Sequence, residues 1–333
     1  MTQLMKKPEK DSRRWVSHSV VARLKKYRYL LDVLKFLFHT RNRLRFSSTI
    51  KQNAKLRSTE SHRPIALLGT GLSVLSVDLA NLQDLALFGC NEIYKHEDFR
   101  HIHLDYYTAT VPYFGKLFGV AYVEDFQQYF SEIDQAFRGR DTRLFFNASL
   151  KPFLRQNKLL SHSTTSFFLS ENSVTRDESA EHDLSTPSFS FGAGALSFMI
   201  AAAVFMGAKE IYLLGCGYMY SPRMHNHFFD SLTLPVGTPD VEVGRAVEGF
   251  ATLYAGYDIT PVHIGDRNLY FSATDAFDEA DANAELYWRL HQLAESQGVR
   301  IVNVVPPGFS SKIFDGVSTI EFSTRFCSSP QRS

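Results

Sequence analysis

The chain is poor in cysteine and contains no long apolar run. Cys90, Cys216 and Cys327 are the only cysteines in 333 residues. No two stand at a metal-ligand spacing, so neither a disulfide framework nor a cysteine metal site is expected. Cys90 and Cys216 lie inside apolar runs, which predicts inert core thiols and a reducing compartment. No stretch of ~20 apolar residues is present. Met1 to Val20 are basic and polar where a signal peptide would carry an apolar core, so the expected location is cytoplasmic. The turn Gly69-Thr70-Gly71 also lacks two things. Val74 stands where a dinucleotide fingerprint would place its third glycine, and the lysine of a kinase-type phosphate loop is absent. The second apolar run, Leu87 to Cys90, ends without an acidic ribose partner. A nicotinamide oxidoreductase therefore ranks last among the readings.

What the chain does have is a sharp division of charge. Of its 36 Lys and Arg and 35 Asp and Glu, residues 1–63 hold 17 and 4, which leaves 19 and 31 for the rest. Leu24, Tyr27, Leu31, Leu34 and Phe38 recur at three- and four-residue steps, with Lys25, Lys26, Arg28 and Lys35 around them. This pattern predicts an amphipathic basic helix within an arm spanning residues 1–62. Such a helix can attach to an anionic membrane surface, here through residues 13–57, on the inner face of the membrane. It can equally dock on an acidic body, its own or a partner's. No basic groove or recognised module follows, so nucleic acid is not expected as a partner.

From residue 63 to 326 the pattern alternates between strand and helix. "PIALLG" and "DLALFGC" read as buried parallel strands about 20 residues apart, joined by a turn and short helix. "FGAGALSFMIAAAVFMGAKEIYLLGCG" reads as glycine turn, helix, glycine stop and strand. A last repeat has a helix over about Ala282 to Gln297, Gly298 as its stop, and a strand over Val299 to Val305. The fold class expected is α/β, a doubly wound, Rossmann-like parallel sheet forming a single main domain. Leu159 to Ser190 is rich in Ser and Thr and without period, which reads as a lid or a disordered insertion.

The turn after the first strand carries the first candidate site. Gly69 and Gly71 let the backbone approach a ligand closely, and Thr70 and Ser73 add hydroxyls at a helix start, where free N–H groups attract phosphate. A tight strand-to-helix turn with no ligand fits the same residues. Gly192 and Gly194 precede another helix and carry the same two readings.

"GTGLSVLSVDLANLQDLALFGCNEIY" resembles the opening of the small bacterial sialyltransferases: a Gly-x-Gly-x-Ser turn, an Asp-containing helix, and a Cys-Asn-x-x-Tyr segment closing the second strand. "GAKEIYLLGCGYMY" is similar to the same family's Gly-x-Lys-Glu-Ile-Tyr-Leu-x-Gly strand with a tyrosine-bearing loop beyond it. A broader group of bacterial surface-glycan proteins, related to pterin-diphosphokinase-like domains, is similar in the same places. It also matches "HNHFFD" and "GVRIVNVVPPGFSSKIF". The resemblance covers Ile65 to Phe322 in patches and leaves out the arm.

The resemblance implies a glycosyltransferase that moves a sialic-acid-like sugar from a CMP-activated donor to a surface-glycan acceptor, as in lipopolysaccharide or capsule synthesis. The nucleotide would be held at Gly69, Gly71, Ser73 and Asn91. The CMP-sugar is a donor substrate, so no cofactor or metal is implied. Inverting transfer needs a base that titrates near neutrality, and donors for the departing phosphate. His227 is the first choice of base and His263 the second, with His225 nearby; Tyr218 and Tyr220 are the candidate donors. Two departures stand out. Gly215-Cys216-Gly217 replaces the usual Gly-x-Asp, and Ala273 to Ala284 holds none of the expected histidine. Two other readings therefore stay open. One is a Mg-dependent diphosphokinase on a pterin-like substrate, with Asp78, Asp98 and Asp105 the nearby acids. The other is a non-catalytic nucleotide-fold module in glycan assembly.

Overall fold

The computed structural model describes residues 28–109, 123–169, 183–187, 189, 194–216, 232–235, 238–253, 258–264, 267–273, 277–307, 310–311 and 313–327. In order the elements are α1 (Arg28–Lys51), β1 (Ile65–Leu68), β2 (Ala86–Cys90), β3 (Tyr106–Thr108), α2 (Val123–Phe137), β4 (Arg143–Asn147), α3 (Lys151–Gln156) and β5 (Thr164–Phe168). There follow α4 (Ala195–Phe205), β6 (Glu210–Leu214), β7 (Leu232–Pro235), α5 (Asp240–Leu253), β8 (Asp258–Ile264), β9 (Arg267–Ala273), α6 (Phe277–Ser296), β10 (Arg300–Val305), β11 (Asp315–Ser318) and α7 (Thr319–Phe326).

The chain divides into two units, Met1–Ser47 and Ser48–Ser333. The first contributes most of α1, a 24-residue helix without glycine or proline. Arg41, Arg43, Leu44 and Arg45 on it are exposed. The division falls inside the segment 1–62 read as an arm, because residues after it take part in the second unit. Leu56 lies in a core cluster with Ile65, Phe168 and Leu184. The buried Asn53 carboxamide donates to the carbonyls of Phe167 (2.8 Å) and Leu184 (3.1 Å). Glu60, also buried, accepts from Arg63 Nε at 2.6 Å and from the Tyr106 hydroxyl.

In the second unit eight strands form one sheet in the order β11-β10-β6-β1-β2-β3-β4-β5, and every pair is parallel. β1 shows why: "IALL" is buried throughout. Ile65 and Leu67 face the core layer containing α4 and α6, while Ala66 and Leu68 face the opposite layer, with α2 and α7 residues. A strand covered on both faces must be apolar without alternation. α4 is buried at all 11 positions, as a helix apolar around its whole circumference must be. The expected doubly wound, Rossmann-like fold is thus what the chain adopts.

Two elements differ from the sequence reading. Thr164–Phe168, inside the stretch read as a lid or insertion, is β5, the edge strand beside β4. Its exposed and half-buried Thr164 and Thr165 suit an edge and hide the apolar signal. Residues 170–182 of that stretch lie outside the described residues. The second element is a separate antiparallel sheet, β7-β9-β8, where no strand is expected from the sequence. Pro235 and Pro261 stand in its strands and mask them, since proline fits a sheet only at edges or ends.

Candidate active site

The chain lays down β1 to β5 in one direction and then crosses back to place β6 on the other side of β1. The crevice at the carboxyl ends of β1 and β6 is therefore a topological switch point, where open α/β sheets bind their ligands. The Gly69 turn leaves β1 there.

Its glycines act first on each other's strands. Gly69 N–H donates to Leu214 O at 2.7 Å, and Gly71 N–H to Gly215 O at 2.8 Å. A Cβ on Gly69 would stand 2.5 Å from Gly215 O, and one on Gly215, whose φ is +70°, would stand 2.5 Å from Gly69 O. The two strand ends thus meet at a distance only glycine allows. These two N–H groups are directed at β6, so they do not point at a ligand. Cys216 closes the junction, its buried thiol pushed up to about 12 by desolvation. Cys90, at the end of β2, is likewise buried, and desolvation holds its thiol far above the ordinary range.

Past the glycines the chain enters a 3₁₀ turn, Leu72–Ser76. Ser76 Oγ donates to Ser73 O at 2.6 Å. The Ser73 hydroxyl itself is different: its residue is 2% exposed, and among the described residues Oγ has no hydrogen-bond partner. A buried hydroxyl left unmatched is destabilising by about 1–3 kcal/mol, so one at a switch point is a natural ligand contact. Thr70 is buried beside it. The backbone of β8, the strand that carries His263, runs next to this 3₁₀ turn; in register, His263 pairs with Asn268 of β9.

Asn91 leaves β2 at the same edge, one strand over. Its φ is +47°, in the left-handed region, which asparagine tolerates better than most residues. The Tyr107 hydroxyl donates to Asn91 O at 2.7 Å. Among the described residues no side-chain hydrogen bond restrains the Asn91 carboxamide, which is half-buried. Gly194, with φ +94°, opens α4. Since α4 leads into the amino end of β6, its first turn faces the carboxyl edge of the sheet. Gly192, Tyr218, Tyr220, His225 and His227 lie outside the described residues.

Asp105 precedes β3 at the amino edge, opposite the switch point. It accepts from Arg63 Nη2 at 2.7 Å and from Leu87 N–H at 2.9 Å. Asp78 is exposed and accepts from Asn81 at 2.7 Å. Asp98 is exposed, and its N–H donates to His96 Nδ1 at 3.2 Å. Among the described residues no three His, Cys, Asp or Glu side chains are grouped to hold a metal ion.

Two features here were missed in the sequence: the support of Asn91 by Tyr107, and the β8 strand beside the turn. The apolar "DYYTA" run marks a buried strand, but nothing local says that its second tyrosine reaches back to residue 91.

Fold and crevice together define a doubly wound, Rossmann-like α/β protein with its candidate site at the β1/β6 switch point. No family model matches the chain, and no curated protein matches it. Among solved structures it is similar to the sialyltransferase CstII from Campylobacter jejuni in complex with a substrate analogue, cytidine-5'-monophosphate. The identity is 12%, covering 78% of this chain and 86% of that one, with a TM-score of 0.36. The sialyltransferase Cst-II in complex with trisaccharide acceptor and CMP is similar at 13% identity, with 77% and 86% coverage and a TM-score of 0.35. A single-substitution variant of Cst-II in complex with CMP gives 14%, 77%, 86% and 0.37.

Proposed function

We propose that this chain is a glycosyltransferase that transfers a sialic-acid-like sugar from a CMP-activated donor to a glycan acceptor. The observation that carries the reading is the unpartnered, buried Ser73 hydroxyl in the Gly-x-Gly-x-Ser turn at the β1/β6 switch point. The motif resemblance supports a cytidine nucleotide as the ligand, and the sheet order supports the switch point as its site. In this reading Ser73 Oγ and the Asn91 carboxamide contact the nucleotide, with Thr70 beside them. Gly69 and Gly71 shape the floor, Gly194 presents the first turn of α4, and Gly192 is a further candidate contact.

In this reading the transfer is an inverting displacement at the anomeric carbon. A histidine takes the proton of the acceptor hydroxyl as its oxygen forms a bond to the sugar's anomeric carbon. The bond from that carbon to the phosphate oxygen breaks, and CMP leaves with the negative charge, stabilised by hydroxyls of Tyr218 or Tyr220. The course of β8 beside the Leu72–Ser76 turn supports His263 as the base; His227 is the other candidate. The enzyme would work at the cytoplasmic face of a membrane, with residues 13–57 on anionic lipid. No helix among the described residues is long and apolar enough to cross a membrane.

Release of CMP from a CMP-sialic acid donor, measured with each histidine replaced in turn, tests the mechanism. The base variant, His263→Ala or His227→Ala, should lose about 10²-fold in turnover with CMP affinity near wild type. Full turnover in both variants would end the mechanism.

A further inference from the structure

We infer that Tyr107 is a positioning residue for the nucleotide: its buried hydroxyl holds Asn91 in a left-handed conformation and so aims the Asn91 carboxamide into the switch-point crevice. The inference rests on the nucleotide reading above for what the carboxamide contacts. The clamp itself rests on geometry alone.

The side chain that does the holding is fully enclosed. Tyr107, in the middle of β3, is 0% exposed and packs against Phe137 at a ring separation of 4.3 Å and against Phe146 at 6.3 Å. A tyrosine hydroxyl so deep must find a partner, and it finds the carbonyl of Asn91, 16 residues earlier at the start of the 3₁₀ turn that follows β2. Burial raises the phenol well above its ordinary pKa, so it remains a donor at every physiological pH. The donor therefore sits in a wall of rings.

The residue it holds needs holding. At φ +47° Asn91 stands in a region that side-chain-bearing residues seldom occupy. Outliers of this kind persist when their surroundings over-determine them, and they collect at functional sites. The conformation turns the chain sharply out of β2 into the 3₁₀ turn Asn91–Lys95. A phenylalanine at position 107 would fill the same space and leave the carbonyl of residue 91 without its donor.

The test is a double-mutant cycle on CMP binding by calorimetry, with Tyr107→Phe and Asn91→Gly in the full chain. Glycine keeps the left-handed conformation and removes only the carboxamide. Tyr107→Phe should weaken CMP binding about tenfold when Asn91 is present and leave it unchanged when residue 91 is glycine, because the hydroxyl acts only through the carboxamide. An equal loss in both backgrounds, or no loss in either, overturns the inference. Hydrogen exchange without ligand separates this from the nucleotide reading. Amides of Asn91 to His96 should exchange faster in Tyr107→Phe whether or not CMP binds, and unchanged exchange also overturns the inference. Failure of the wild type to bind CMP, with the exchange effect intact, would overturn the nucleotide reading while the clamp stands.

Discussion

Replacing Gly69 by alanine tests the junction on which the site is built. The added Cβ would lie 2.5 Å from Gly215 O, 3.0 Å from Gly215 C and 3.3 Å from Cys216 Sγ, against the 3.4 Å at which ordinary contact begins. The atoms it meets first are backbone, so β1 and β6 must part by close to an ångström. That breaks the 2.7 Å and 2.8 Å bonds from Gly69 and Gly71 to β6. Overpacking of this kind destabilises by about 1–3 kcal/mol, and two lost hydrogen bonds add about 0.5–1.5 kcal/mol each, so the expected loss is about 2–6 kcal/mol. Gly215→Ala should lose about 1–2 kcal/mol more, because its φ of +70° is closed to alanine. Two controls share the substitution but not the contact. Gly139, at φ +76° with open space around it, should lose only the conformational part. Gly244, in α5 and equally open, should gain about 0.5–1 kcal/mol of stability as alanine. Urea denaturation followed by circular dichroism reads all four as midpoint shifts. If Gly69→Ala is no more destabilising than Gly139→Ala, the close junction is refuted.

Further outcomes follow from charge. Reversing Arg41, Arg43 and Arg45 together to glutamate should weaken binding to phosphatidylserine vesicles by 10²-fold or more, at about 1 kcal/mol per basic residue near the surface. All three are exposed, so nucleotide binding should stay intact; undiminished vesicle binding would remove the membrane role. Asp183 gives a pH signature. Desolvation opposes its ionisation, but two hydrogen bonds from Ser185 and the Arg57 guanidinium at 2.7 Å outweigh it, so its pKa is lowered from 3.8. A carboxylate depressed in the folded state stabilises above its unfolded pKa and loses that contribution as pH falls through the folded value. The stability difference between wild type and Asp183→Asn should be full at pH 7, shrink below about pH 4 and vanish in stronger acid. A difference independent of pH would show that the ion pair contributes nothing.

The parts of the fold legible in the sequence are those that bury both faces. β1, β2, β6 and β10 are short apolar runs, and Gly207 and Gly298, both at positive φ, mark where α4 and α6 stop. What stayed hidden depends on partners remote in the chain. β5 carries Ser and Thr because it is an edge, and β8 is visible only through its pairing with β9. The two glycines of the opening turn were visible, but their role was not. Only the fold reveals that Gly69 and Gly71 donate to β6, some 145 residues away, and that the unmatched group is Ser73 Oγ. Asn91 was likewise marked by its motif, while its left-handed backbone and the tyrosine beneath it came from the packing of β3.

The central claim is that the switch-point crevice holds CMP, and a thermal-shift comparison of CMP with CDP, UDP, GDP and ATP tests it most directly. At a concentration of about 100 times Kd a bound nucleotide adds about 2.7 kcal/mol to the folded state, a readily visible rise in Tm. CMP should give the largest rise, and Asn91→Ala should abolish it. Indifference to CMP together with a clear, Mg²⁺-dependent shift by ATP would contradict the claim and favour the diphosphokinase reading.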